Sequence, residues 1–511
     1  MKSRRLSCMT AIMMFAVLAV PVSSVAQERP DNQQQKRGHH RYRLIDIGTF
    51  GGPASFVNPA VNGGPTISRN GTTVGSSATS TPTSSHSNPF VCFGLDGTLP
   101  FVFHAFQLQE GALTDLGAFP PAVDNCSNAQ AVNGSMEITG QSENGLIDPL
   151  TGTKEVRAVL WKDGQMRELG TLGGNDSLAN QINSRGQITG AALNGILDPF
   201  SIYYFQFFNS SNGTQTRAFL WEKGQMKDLG TLGGPDAAGI FVNEHGQVAG
   251  ASYLNSTPNA TTGVPTEDPF LWTKDKGMID LGRLGGTFGF PNALNNRGQV
   301  VGQSNIAGDQ VADPFLWDGE KLIDLYTSTL GGSPLTAEAL NDAGEVAGVA
   351  TFPNRPFDAY VWRNGLATDL GAVGNDGCSW AHAMNARGQI VGQSFACDGS
   401  TVRSFLWENG SMVDLNALVP PGSTLQLVDT QAINDRGEIA GLGVPPGCTQ
   451  DTQCGHAFVL IPCDDQHSGE EGCEDVEIAA PTIQNSPAFI NQTTTTPQQS
   501  SATASEIPTR N

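Results

Sequence analysis

The chain has 511 residues, too many for one hydrophobic core, so it is either several domains or a repeat array. Its 61 glycines and 30 prolines, with charged residues at only 15%, suit short strands joined by tight turns and speak against long helices. A net charge of −21 disfavours nucleic acid and anionic lipid as partners.

Residues 1–26 read as a signal peptide. Lys2, Arg4 and Arg5 precede an apolar run to Val20, and Ser24-Val25-Ala26 offers small residues for cleavage. The run is short for a membrane anchor, and Cys8 lies ahead of it, the wrong place for a lipid-modified cysteine. Cleavage leaves 25 basic against 49 acidic residues, a net of −24. No later stretch is long and apolar enough to span a bilayer, so a secreted or cell-surface protein is expected. Residues 27–41 (QERPDNQQQKRGHHR) read as a polar linker, with His39 and His40 solvated among basic neighbours rather than holding a metal.

From Tyr42 onward one pattern repeats. Residues 217–252, RAFLWEKGQMKDLGTLGGPDAAGIFVNEHGQVAGAS, have close copies starting at Arg157 and Asp268 and weaker ones at Asp313, Asp358 and Arg403. The repeated Trp falls at 161, 221, 272, 317, 362 and 407, a period that signals stacked repeats. Each unit resolves into four short strands. In one of them these are ANQIN (residues 179–183), QITGAA (187–192), RAFLWE (217–222) and QMKDLG (225–230). The third strand is apolar on both faces, with Phe219 and Trp221 on one side and Ala218 and Leu220 on the other. Strands read like that when both sides of their sheet are covered, as in the blade of a β-propeller.

The expected fold is therefore an all-β propeller of four-stranded blades spanning residues 42–462. The first-to-second-strand segment, the third strand and the DLG strand each occur eight times. The DLG set is shifted: its first copy, YRLIDIG from Tyr42, precedes any first strand, and none follows Val459. An N-terminal strand completing the last blade would close a ring of eight, or of seven if residues 53–117 are not a full blade. Length variation concentrates in the connections between second and third strands, so one face is elaborated and the other trimmed to tight turns. The recurrent Asn183, Asn243, Asn295, Asn341, Asn385 and Asn434 each precede a Gly by three residues. They read as turn residues satisfying backbone groups, or as a ring of amides lining a channel.

The units HAFxLxxGxxxDLG and AFLWxxGxMxDLGTLGG, followed by INxxGQVxG, resemble the bacterial extracellular HAF-repeat family over roughly residues 42–462. The literal triplet survives only at His104 and His456; elsewhere its variants include Arg-Ala-Phe, Asp-Pro-Phe and Arg-Ser-Phe. The resemblance implies export and supplies no catalytic residues.

No HExxH, GxSxG, P-loop or paired CxxC occurs, and no cofactor, metal or catalytic residue is expected. His104 and His456 start equivalent strands in different units and read as strand termini. Asp148, Asp198, Asp268 and Asp313 open Asp-Pro turns approaching the third strand; Asp176, Asp236 and Asp376 follow the Gly-rich turn before the first. The insertion at residues 193–216 crowds Tyr203, Tyr204, Phe205, Phe207 and Phe208. These aromatics with Asp176 and Asp236 form the candidate ligand-binding set, against the plainer reading of a hairpin with its own small core. Eight cysteines remain after cleavage, and near-neighbour pairing gives Cys92–Cys126, Cys378–Cys397, Cys448–Cys454 and Cys463–Cys473. Residues 463–511 read as a disordered Thr/Gln/Ser/Pro-rich tail. The functional expectation is a monomeric, non-enzymatic binding or scaffold module for an extracellular glycan or, next, a protein. The alternatives are a polysaccharide hydrolase or lyase and a purely structural envelope protein.

Overall fold

The computed structural model describes residues 39–57, 65–92, 99–121, 123–202, 213–353, 355–467, 473 and 489–490. The chain is all-β, and four-stranded antiparallel sheets follow one another along it. In chain order they are sheet 1 (residues 51–117), sheet 2 (127–168), sheet 3 (173–228), sheet 4 (237–280), sheet 5 (285–324), sheet 6 (333–371), sheet 7 (378–414) and sheet 8 (426–462 with 42–46). Sheets 4 and 5 also share a single parallel bridge, Glu267 to Phe288. Among the described residues no helix is long and apolar enough to cross a membrane.

Sheet 3 shows why the repeat folds this way. Its strands are Gly173–Ile182, Ile188–Leu197, Thr214–Glu222 and Gln225–Asp228. Phe219, Ala218, Leu220 and Trp221 are all buried, as a third strand covered on both faces requires. Gly190 pairs with Phe219, and a Cβ there would lie 1.9 Å from the Leu178 carbonyl oxygen. Only glycine lets the first strand and the Phe ring approach so closely. The same position is Gly in every sheet, from Gly75 opposite Phe106 to Gly441 opposite Phe458.

Two recurring side-chain contacts tie neighbouring sheets together. At the turn between first and second strands, Asn183 Oδ1 accepts from the backbone N–H of Arg185 and Gln187, both at 3.0 Å. Its Nδ2 donates to the carbonyl of Asn243, the equivalent residue of sheet 4, at 3.0 Å. Asn133, Asn243, Asn295 and Asn385 do the same to Asn183, Asn295, Asn341 and Asn434. Turn satisfaction is thus half of the role of these residues, and joining neighbours is the other half. Asn434 of sheet 8 donates to Ser68, in the corresponding turn of sheet 1, at 2.9 Å. At the other joint, Ser177 Oγ accepts from Ala158 N–H of sheet 2, and Ser127 and Ser379 repeat the contact with Ala105 and Ala359. Ser55 of sheet 1 makes it with Ala457 of sheet 8, at 3.0 Å.

The N-terminal strand Tyr42–Asp46 pairs antiparallel with His456–Pro462, Tyr42 opposite Pro462 and Asp46 opposite Phe458. The triplet that gives the family resemblance its name acquires a physical reason here. The residue before Ala-Phe pairs with the Asp of the same sheet's fourth strand: His104 with Asp115 at 2.9 Å and Arg217 with Asp228 at 3.0 Å. His456 makes the equivalent contact with Asp46 at 3.0 Å, across the junction between the chain's two ends.

Several boundaries differ from the sequence reading. The second and third strands of sheet 3 run past residues 192 and 217, so the expected insertion begins and ends as β-ribbon, Leu197 opposite Thr214. Asn194 makes this possible: its Oδ1 accepts from Ile196 N–H and its Nδ2 donates to Gln215, covering the bulge between the paired segments. The first strand of sheet 6 is broken into Ser333–Pro334 and Ala339–Leu340. His39, assigned to the linker, bonds Glu408 at 3.1 Å and Ser411 at 3.0 Å on sheet 7. Within the region read as tail, Phe489–Ile490 pairs with Thr401 and Val402.

All eight cysteines expected in the exported chain are joined, as Cys92–Cys126, Cys378–Cys397, Cys448–Cys454 and Cys463–Cys473. Cys92–Cys126 links the connection of sheet 1 to the start of sheet 2, whereas Cys378–Cys397 lies within sheet 7.

Candidate functional site

The ends of the sheets that carry the second-to-third-strand connections form the candidate face. Tyr203, Tyr204, Phe205, Phe207 and Phe208 lie outside the described residues. Asp176 and Asp236 are described, and both are buried. Asp176 Oδ1 accepts from Val156 N–H of sheet 2 at 2.7 Å, and Asp236 Oδ1 from Thr216 N–H of sheet 3 at 2.6 Å. Each also meets a second carboxyl group from the preceding sheet's connection, Asp148 for Asp176 and Asp198 for Asp236. Burial pushes Asp176 up to about 8, with the charge of Asp148 adding to it. Burial pushes Asp236 up to about 9, again reinforced by its partner, Asp198. A carboxyl group so placed is a proton donor at neutral pH, but one without contact to solvent.

The Asp-Pro residues, grouped together from the sequence, occupy two different places. Asp148 and Asp198 sit in the turns that follow the second strands of sheets 2 and 3, where their Oδ1 atoms accept from Leu150 and Phe200 N–H at 2.8 Å. Asp268 and Asp313 lie within third strands, opposite Ser252 and Ser304, the register held by Arg217 in sheet 3. Asp268 is therefore a buried acid where sheets 2 and 3 carry Arg157 and Arg217, and Arg283 reaches it at 2.8 Å. Burial and the charge of Asp280 push it up to about 6. Asp376 is ion-paired with Arg403 at 2.9 Å. Among the described residues, Cys92, Cys126 and Glu143 are the one group with metal-ligand spacing, and both sulfurs are in the disulfide.

What the sequence reading missed is apolar. Leu146 and Ile147 at the tip of sheet 2, and Ile196 and Leu197 at the tip of sheet 3, point into solvent, with Leu146 61% and Leu197 75% exposed. Val123 is exposed in the connection entering sheet 2. The signal was present as the doubled Asn-Gly-Leu-Ile-Asp-Pro and Asn-Gly-Ile-Leu-Asp-Pro at residues 144–149 and 194–199, noticed only for its Asp-Pro. The corresponding tip of sheet 4 is polar, Asn255-Ser256-Thr257. At the opposite, tight-turn end, a cleft of ≈ 340 Å³ opens between sheets 4 and 5, lined in part by His245, Lys274, Asp275 and Arg297.

No family model matches the chain, and no curated protein does. Solved structures similar to it include the β-propeller domain of the Trilobed protease from Pyrococcus furiosus, at 9% identity and TM-score 0.35, covering 62% of this chain and 90% of that one. Porphyromonas gingivalis dipeptidyl peptidase 4 is similar at 10% identity and TM-score 0.36, over 68% of this chain and 55% of that one. TolB from Acinetobacter baumannii follows at 11% identity and TM-score 0.29, over 57% and 61%. At these scores the fold and the site are read from the chain's own residues.

Proposed function

We propose that this is a secreted member of the HAF-repeat family, a closed propeller of eight four-stranded blades that binds an extracellular partner through its elaborated face. Closure is supported by the joint between sheets 8 and 1, where Ser55–Ala457 and Asn434–Ser68 repeat the contacts made between neighbours elsewhere. Export is supported by four disulfides, which persist in oxidising compartments. The binding role rests on one observation: two adjacent ribbons present Leu146, Ile147, Ile196 and Leu197 to solvent on the face where connection lengths vary. Solvent-exposed aliphatic side chains clustered at ribbon tips suit an apolar partner surface better than a hydroxyl-rich one. A protein partner therefore moves ahead of a glycan within this reading.

Replacing these four residues by Ser tests the proposal. The variant should fold as the parent does and lose binding to purified envelope proteins of the producing cell, with no change towards a purified polysaccharide panel. Unchanged binding would move the site away from the ribbon tips, and the cleft at His245, Lys274 and Arg297 would be next. The raised proton affinities of Asp176 and Asp236 favour a second reading, an acid-catalysing enzyme on polysaccharide, although their burial withholds them from substrate. Turnover abolished by Asp236→Asn would establish it.

A further inference from the structure

We propose that Asp148 with Asp176, and Asp198 with Asp236, are proton-sharing latches, each fastening the connection of one sheet to the first strand of the next and releasing it when the shared proton is lost. The two pairs are the same device in consecutive joints. Asp176 precedes Ser177 and Asp236 precedes Ala237, at the register where Cys126 precedes Ser127 in sheet 2. Cys126 uses that position to hold the connection of sheet 1 covalently, through Cys92. Sheets 3 and 4 use it to hold the connections of sheets 2 and 3 without a covalent bond.

The geometry calls for a proton in each pair. All four aspartates are buried, at no more than 6% exposure. Their Oδ1 atoms are occupied by the backbone N–H groups of Leu150, Val156, Phe200 and Thr216, and Asp148 Oδ1 also accepts from Asn175 Nδ2 at 3.0 Å. Asp198 Oδ2 and Asp236 Oδ2 receive no donor from any other described group. Two ionised carboxylates facing one another away from water would repel, whereas a single proton between them supplies the missing bond.

The charged groups that face the pairs do not remove this need. Arg157, beside Asp176, spends Nη2 on Glu155 at 2.7 Å and Nε on Glu168 at 2.9 Å, and its buried Nη1 makes no hydrogen bond to Asp176 or to any other described group. Arg217, beside Asp236, is committed to Asp228 at 3.0 Å and the Pro235 carbonyl at 3.1 Å. Tyr253 faces Asp198, Asp236 and Glu267 with a buried hydroxyl that has no hydrogen-bond partner among the described groups. The second pair thus lies among further acids, and its proton is the harder to remove.

The direction of the pH effect follows from linkage. In the unfolded chain an Asp carboxyl group ionises at about 3.9; folded, Asp176 and Asp236 hold a proton to about 8 and about 9. Between those values the folded state binds more protons than the unfolded one, so stability falls as pH rises. The latches are fully engaged in mild acid and open in mild alkali, on the proposed binding face.

The test is the thermal midpoint of the full chain from pH 6 to 9.5 in EDTA, for the parent and for Asp176→Asn with Asp236→Asn. An amide still accepts from Val156 and Thr216 N–H and donates to Asp148 and Asp198 at every pH. The parent midpoint should fall by several degrees, on the order of 2–4 °C per kcal/mol lost, and the double variant should fall less. Asp268 and His382 are present in both proteins, so the difference between profiles isolates the pairs. If the double variant does not fold, Asp148→Asn with Asp198→Asn carries the same expectation. A parent midpoint that is flat or rises with pH, or a variant profile parallel to it, overturns the proposal. So does recovery of the parent midpoint at pH 9 on adding Ca²⁺, which would make the pairs cation ligands.

Discussion

The two ends of the sheets solve the same problem in opposite ways. At the tight-turn end one solution recurs: an Asn caps its own turn through Oδ1 and holds the next sheet through Nδ2 at Asn133, Asn183, Asn243, Asn295, Asn385 and Asn434, whereas Asn341 caps its turn but directs Nδ2 to Glu345 and Met384 Sδ. At the connection end a Ser to Ala N–H contact recurs at four joints, but what else fastens the sheets there varies. Sheet 2 meets sheet 1 through a disulfide, sheets 3 and 4 meet their predecessors through carboxyl pairs, and Arg403 of sheet 7 pairs with Asp376 within its own unit. The difference teaches where stability and variation are separated. A repeat holds its register with one conserved turn, which leaves the far end free to change residues and lengths without losing the fold.

Removing residues 42–46 would break this comparison most severely. That strand buries Tyr42 against Leu460 and Leu418 and supplies Asp46 to His456, so its loss should cost about 3–5 kcal/mol and lower the midpoint of urea unfolding accordingly. A truncated protein that unfolds like the parent would mean the chain's two ends do not hold one another.

Next in size is the covalent joint. Cys92→Ala with Cys126→Ala opens a loop with a sequence separation of 34 and should cost about 2–4 kcal/mol, read in the same unfolding experiment. At the uniform end, Asn243→Ala leaves the N–H groups of His245 and Gln247 without their acceptor. It also removes the donor to Asn295. We expect about 1–3 kcal/mol, with the same loss from Asn183→Ala, because the geometry is the same. Unequal losses would show that the turn end is less uniform than its hydrogen bonds. Smallest is Leu146→Ser with Ile196→Ser, within about 0.5 kcal/mol in stability because both side chains are already in water.

The uniform end was legible in the sequence and the variable end was not. Period, strand order and the Asn with its turn Gly repeat, and the chain ends are complementary, so noisy copies reinforced one pattern. The disulfides were also legible, because each cysteine's partner is its neighbour in sequence. Asp176 and Asp236 were found as recurrent residues but assigned to a ligand. Nothing local in the sequence says that Asp148 and Asp198 reach across a joint to meet them. Asp268 and Asp313 resembled Asp148 and Asp198 through a shared Pro, although one pair sits in a strand and the other in a turn. The exposed tips were missed because Leu146-Ile147 and Ile196-Leu197 read as part of the connections between strands, whereas the second strands run on to Ile147 and Leu197 and carry them beyond the sheet.

The joint between sheets 8 and 1 decides the account, and one amide reports it. Ala105, Ala158 and Ala359 N–H each donate to a Ser of the following sheet, and Ala457 N–H donates to Ser55 of sheet 1. Native-state hydrogen exchange of these four amides therefore measures four joints with the same chemistry. A closed ring predicts that Ala457 is protected to within about tenfold of the other three. Exchange of Ala457 near the unprotected rate, with Ala105, Ala158 and Ala359 still protected, would contradict closure.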